Sequence, residues 1–150
     1  MTRLATRKRI GTCYRCPRLF TFGMTENKPL TFDGRIRSVK FALRGIRTMV
    51  ASQHNAWIHA AATVVVVAAG LVLGLSASEW VWIVLAIGSV WTAEALNTAF
   101  EFLTDVASPD FHPLAEKAKD VAAGGVLLAA IGAVIIGGLV FWPKVAGLLQ

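Results

Sequence analysis

The chain reads as an all-α integral membrane protein, with three transmembrane helices preceded by an amphipathic helix on the cytoplasmic surface. Three observations predict this. Of its 150 residues 55% are hydrophobic and 16% charged, and the mean hydropathy is +0.59, too apolar for an ordinary soluble domain. The apolar residues gather into runs of about 20, the length that crosses a hydrocarbon core. Charge is lopsided as well: twelve of the 15 Lys and Arg fall within residues 1–56, opposed there only by Glu26 and Asp33, whereas residues 57–150 hold three bases and seven acids. The same composition excludes disorder for the bulk of the chain.

Residues 1–23 contain Arg3, Arg7, Lys8, Arg9, Arg15 and Arg18, no acid, and no apolar stretch that could serve as a secretory signal. An Arg-rich leader also suits organelle transit, yet Met24 opens MTENKPLTFDGR, which reads as an ordinary cytosolic start. Residues 1–34 are therefore expected to be a basic, disordered extension, with translation beginning at Met24. Cys13 and Cys16 form a lone CxxC without the four ligands of a zinc site or the strand–helix context of a redox pair, so they are expected to be incidental thiols. The arm suits anionic head groups and fixes topology; nucleic acid is not expected as a partner, since no aromatic-interleaved or recognition-helix pattern follows.

Over 35–53 the pattern turns amphipathic: Ile36, Val39, Phe41, Leu43, Ile46, Met49 and Val50 alternate with Arg35, Arg37, Lys40, Arg44 and Arg47. Such a helix lies on a membrane surface or packs on its own protein, and the two readings are compatible. Three apolar runs follow, at 57–75, 80–100 and 121–142, each long enough to span. The connection Ser76-Ala77-Ser78-Glu79 has no Lys or Arg, whereas the amino arm and the 105–120 segment hold fourteen of the fifteen. The positive-inside rule puts those two segments in the cytoplasm and the carboxyl terminus outside. Trp57, Trp80, Trp82 and Trp142 sit where interfacial aromatics belong, Pro143 is expected to close the last helix, and Gly124, Gly125, Gly132, Gly137 and Gly138 give the third span a small-residue surface for helix packing within or between chains.

The second span is the informative one. WTAEALNTAFEFLTD places two carboxylates and an amide in an otherwise apolar helix. At 100° per residue, Asn97, Glu101 and Asp105 fall about −60°, −20° and +20° from Glu94, so all four share one face. A charge at the bilayer centre costs at least ~2.5–3.5 kcal/mol, which makes the stripe a functional site by default and a helix-to-helix polar seam the alternative. Glu94 and Glu101 stand two turns, about 10 Å, apart; that spacing suits one carboxylate on a metal and another on a proton, not a chelating pair. Beyond the span, in ASPDFHPLAEKAKD, Pro109 and Asp110 make a turn and Pro113 suits the first turn of a new helix. The cluster Asp110, His112, Glu116, Lys119 and Asp120 can hold the phosphates and metal of a nucleotide, or cap a helix and snorkel; the residues alone favour neither.

EALNTAFEFLTD followed by HPLAEKAKDVAAGGVLLAA closely resembles the signature of the small bacterial integral-membrane lipid kinases, the diacylglycerol kinase and undecaprenol kinase family. The likeness covers roughly residues 35–142 and leaves 1–34 outside. It implies a homotrimer in the inner (plasma) membrane, with composite active sites shared between subunits at the cytoplasmic interface, using ATP and Mg²⁺ to phosphorylate a lipid hydroxyl in phospholipid or lipid-carrier metabolism. On this resemblance Glu94 matches the catalytic base, Glu101 the metal-binding carboxylate, and Asn97, Glu101, Lys119 and Asp120 the polar residues around ATP. Asp110 and His112 fall on the loop that approaches the adenosine, and Arg47 joins Glu94 as a contact for the lipid.

The chain departs from the family pattern at three positions. Gln53 stands where many members have a glutamate that shares the metal with Glu101, and a neutral amide is a poorer ligand for a hard cation. Phe41 replaces a frequent tyrosine and Trp57 a frequent arginine. No GxxxxGK[ST] or glycine-rich strand-turn-helix is present, so ATP enters through the resemblance alone. The residues by themselves reach a cytoplasm-facing polar site in a three-span protein. A lipid kinase, a non-enzymatic scaffold or transporter subunit with a polar seam, and a degenerate kinase weakened at Gln53 all remain open at this point.

Overall fold

Four helices follow one another along the described residues: α1 (Phe32–Ser52), α2 (His54–Val72), α3 (Ala77–Ala107) and α4 (Pro113–Leu148). The structure, a computed structural model, describes residues 31–149; Cys13, Cys16 and Met24 lie outside the described residues. No strand occurs among the described residues, and α2, α3 and α4 are each long and apolar enough to cross a membrane. The chain is thus a helical membrane protein with one helix before three spans.

Each boundary has a local cause. Thr31 caps α1 by accepting from Gly34 N at 3.3 Å. Gln53 alone separates α1 from α2; its backbone is extended (φ −106, ψ 120) while its N–H closes α1 on Met49 O at 3.0 Å. α2 ends earlier than the apolar run suggests because Gly74 adopts φ +62, and Gly74 N and Leu75 N return to Leu71 O and Gly70 O, satisfying two terminal carbonyls. Ser76 and Glu79 then form a reciprocal capping box, so Ala77, Ser78 and Glu79, read above as connection, already belong to the first turn of α3. At the opposite end His112 caps α4, its Nδ1 accepting from Leu114 N at 3.2 Å, with Pro113 in the first turn as expected.

Pro143 does not close α4. The helix continues to Leu148, because a proline removes one hydrogen bond without forbidding the turns beyond it, and the continuation brings Lys144 to within 3.3 Å of Glu79 on α3. The glycines of α4, expected to let helices approach within or between chains, do not do so within the chain. A methyl group at Gly124, Gly125, Gly132, Gly137 or Gly138 would meet nothing within 4 Å, so they serve no close approach of helices inside the chain. The tight approach falls at Gly70, where a Cβ would lie 2.8 Å from the Trp80 ring. Trp80 is thereby a packing residue as much as an interfacial one, whereas Trp57, Trp82 and Trp142 are exposed.

α3 is the central helix: it packs extensively on α4 and touches α1 and α2. Its inward face carries Ile83, Ala86, Val90, Glu94, Asn97 and Thr98, all buried. A small cluster of Leu75, Ile83 and Val140 closes the end near the α2–α3 turn. Most other large apolar side chains, among them Val64, Val65, Leu85, Leu128 and Leu139, face outward, as they do when lipid replaces water as solvent. α1 buries only Met49, its apolar side chains Ile36, Val39 and Leu43 remaining exposed as on a surface helix.

Candidate functional site

The polar stripe of α3 exists as the wheel predicts, and each of its three carboxylates meets a partner from a different element. Glu94, at the middle, faces His59 of α2, with Oε2 3.9 Å from Nε2. Two turns on, Glu101 accepts from Gln53 Nε2 at the α1–α2 junction through Oε2 and from Asn97 Nδ2 at 3.0 Å through Oε1. One further turn along, Asp105 pairs with Lys119 of α4. Glu94, Glu101 and Asp105 thus form a file along one helix, from a sealed position to an open one.

Burial separates their chemistry. Glu94 is 0% exposed, and neither of its carboxylate oxygens has a hydrogen-bond partner; the Oδ1 of buried Asn97 is in the same state. These acceptors border a cleft of about 230 Å³ lined by Asn55, Ile58, His59, Glu94 and Asn97 and, from α4, by Ala123, Val126, Leu127 and Ala130. A buried acceptor left without a donor costs roughly 1–3 kcal/mol, more for a charged group, so these three oxygens are the groups in the cleft with the most to gain from an O–H or N–H donor. The α4 wall of the cleft is apolar.

Glu101 is set up differently. Two amide donors fix both of its oxygens, each of which still has lone pairs to offer. Among the described residues no group of three or more His, Cys, Asp or Glu forms a metal cage. Mg²⁺ bound to a nucleotide requires none, since it takes most ligands from phosphate and water and only one or two from protein. Glu101 fits that demand. Gln53 fits it once its amide is turned to present Oε1 in place of Nε2, and the two ends of an amide are close to isosteric.

A second cleft, of about 320 Å³, lies at the α3–α4 loop and is lined by Thr104, Asp105, Asp110, His112, Glu116 and Lys119 among others. Asp110, His112 and Lys119 line this cleft together; His112 also caps α4 and Lys119 is paired with Asp105. Asp120 is exposed and borders neither cleft. Arg47 lies apart, in a shallow depression with Arg44, Thr48, Ala51 and Ser52. One chain therefore brings Gln53, Glu94, Asn97 and Glu101 into one file and leaves Asp110, His112 and Lys119 around a separate opening.

His59 is the residue that sequence reasoning missed. It stands in AWIHAAATVVVV, where an ionisable side chain inside an apolar span is itself a signal of function. Its place is fixed by a short relay: Trp91 Nε1 on α3 donates to Thr63 Oγ1 at 3.1 Å, and Thr63 Oγ1 donates to the His59 carbonyl at 2.7 Å.

The geometry can be set beside known proteins. Residues 40–141 match the family described as prokaryotic diacylglycerol kinase. The undecaprenol kinase of Bacillus subtilis is 43% identical over 108 residues, which cover 72% of this chain and 88% of that protein. The diacylglycerol kinase of Synechocystis is 40% identical over 113 residues, 75% of this chain and 65% of that protein. The diacylglycerol kinase of Escherichia coli K12 is 28% identical over 123 residues, 77% of this chain and 95% of that protein.

Proposed function

The chain belongs to the prokaryotic diacylglycerol kinase family and is a membrane lipid kinase, and we propose that it moves the γ-phosphoryl group of ATP, with Mg²⁺, onto the hydroxyl of a membrane lipid with Glu94 as base. The observation that carries this reading is Glu94 itself, a fully buried carboxylate with two unpartnered oxygens beside an apolar-walled cleft. A lipid alcohol supplies the missing donor while its chains remain among the helices. Glu94 accepts the hydroxyl proton as the oxygen attacks phosphorus. Asn97 Oδ1, the other unpaired acceptor, orients the approach.

Glu101 and Gln53 would hold the metal, two turns from the base, and a bound cation supplies charge neutralisation on the phosphates. Lys119, Asp110, His112 and Asp120 are assigned to the nucleotide, with Lys119 exchanging Asp105 for a phosphate oxygen. Arg47, on the basic face of α1, is assigned to the polar end of the lipid. Because the loop opening and the Glu94 file are separate within one chain, the reading includes a homotrimer whose neighbours complete each other's sites. The reading places these ends on the cytoplasmic side of the plasma membrane, and the basic residues of α1 together with Lys117 and Lys119 support that orientation. The kinase domain is assigned from α1 onward: the boundary expected after residue 34 moves to Phe32, where the helix capped by Thr31 begins, and the residues before it are the extension.

Undecaprenol is the acceptor we put first, since the relative with 43% identity is named for it; diacylglycerol is the second. The test is transfer of labelled γ-phosphate from ATP to each lipid in mixed micelles, with Glu94→Gln as the blank. Labelled lipid in the parent and none in an assembled variant is the expected result. Full turnover in the variant refutes Glu94 as base, and loss of the oligomer in the variant makes the stripe a packing seam instead.

A further inference from the structure

A base sealed inside a span must release in every cycle the proton it has accepted, and among the described residues of its own chain Glu94 has few groups to release it to. From its own helix Asn97 and Glu101 approach, the one an amide and the other already held by two donors. From α4 the cleft wall is Ala123, Val126, Leu127 and Ala130, none of which titrates. Gln53, at the end of α1, reaches Glu101. α2 contributes His59, whose Nε2 stands 3.9 Å from Glu94 Oε2. The imidazole is 16% exposed against 0% for the carboxylate, and the cleft that holds both continues past exposed Asn55, one turn nearer the helix end. His59 therefore stands beside the sealed carboxylate on the side of the cleft that leads to exposed Asn55.

The Trp91–Thr63 hydrogen bond ties α2 to α3 one turn from His59. It fixes how far α2 slides and turns against α3 at the level of the carboxylate. At 3.9 Å the imidazole is not hydrogen-bonded to Glu94, so Glu94 is free to receive a proton first and to hand it on after a small side-chain movement.

We propose that His59 is the proton outlet of Glu94, an inference that rests on Glu94 being the base. The acceptor O–H bond breaks as its oxygen bonds to phosphorus and the phosphorus bond to the departing ADP oxygen breaks. The proton moves to Glu94 Oε2, then from Oε2 to His59 Nε2, leaving carboxylate beside imidazolium. The imidazolium loses that proton to water in the cleft, and both groups return to their starting charge.

The experiment compares the assembled full chain with His59→Ala and His59→Gln, measuring kcat and KM for lipid and for ATP with and without added imidazole, Glu94→Gln running beside them. Both His59 variants are expected to lose about tenfold or more in kcat, within what general acid–base groups contribute, with KM little changed. Imidazole is expected to restore His59→Ala severalfold in proportion to its free-base concentration, while an equal concentration of tetramethylammonium chloride does nothing. Parental kcat in either variant, or a loss that imidazole leaves untouched in His59→Ala, overturns the proposal. So does failure of both variants to assemble, which makes His59 a structural residue. Activity in Glu94→Gln instead removes the base reading itself, an outcome read independently of His59.

Discussion

Replacing Gln53 by glutamate tests the metal end of the file most directly. The substitution removes the amide donor on Glu101 Oε2 and puts a second carboxylate in its place. Two carboxylates about 4 Å apart repel by about 4 kcal/mol at an effective dielectric near 20. Both side chains are only half-buried, so solvent screening brings this to about 1–2 kcal/mol. Losing a hydrogen bond to a charged acceptor costs about 1.5–3 kcal/mol, in part the same loss counted from the other side. A divalent cation between the two oxygens cancels the repulsion and replaces the lost donor. The preference for the cation should therefore rise by about 1.4 kcal/mol, tenfold in affinity. The assay is initial rate against free Mg²⁺ at fixed Mg-ATP, where Gln53→Glu is expected to half-saturate about tenfold below the parent. In metal-free buffer the variant should also unfold at a lower temperature than the parent and recover with Mg²⁺. A half-saturation point that does not move refutes Gln53 as a neighbour of the metal.

Two further substitutions probe the ends of the molecule. Gly70→Ala sets a Cβ 2.8 Å from the Trp80 ring and 3.0 Å from Leu75, an overpacking that should cost about 1–3 kcal/mol in detergent unfolding while leaving both KM values near the parent's. Lys119→Met breaks an exposed ion pair worth no more than about 1 kcal/mol, so stability should hardly change, whereas KM for ATP should rise if Lys119 meets phosphate; an unchanged KM would leave it only as Asp105's partner.

The architecture was legible because a bilayer forces it: apolar runs of about 20 residues leave a helix little choice, and three such runs gave three spanning helices. The face shared by Glu94, Asn97, Glu101 and Asp105 was legible for a similar reason, since it depends only on the turn of one helix. Helix ends were read less well. Nothing in the pattern singles out Gly74, whose positive φ stops α2, among thirteen glycines, and Pro143 resembles a stop although the Lys144–Glu79 pair lies beyond it. What crosses between helices was not legible at all. That His59 meets Glu94, that Gln53 meets Glu101 and that Lys119 meets Asp105 depends on the rotation of α2 and α4 about their axes, which the pattern of one helix does not contain. The family resemblance placed Gln53 beside Glu101 but offered nothing for His59.

That rotation is itself open to test at Trp91. Removing the indole N–H by Trp91→Phe deletes a hydrogen bond between α2 and α3 at the level of His59 and leaves an aromatic ring in place. Hydrogen bonds between membrane helices average about 0.6 kcal/mol and reach about 1.7, because the separated helices find other partners. A loss of that size leaves the protein folded. If the bond served only cohesion, kcat would follow the small change in the folded fraction and remain near the parent's. If it fixes His59 against Glu94, a slight turn of α2 lengthens a separation already at 3.9 Å, and the proton must cross a wider gap. Trp91→Phe should then lose several-fold in kcat with unfolding shifted by no more than about 1.7 kcal/mol, and the loss should disappear when His59 is already absent. The double variant Trp91→Phe/His59→Ala decides the matter. A rate equal to that of His59→Ala alone means that the relay acts through His59, and a further drop means that Trp91 holds something other than the imidazole.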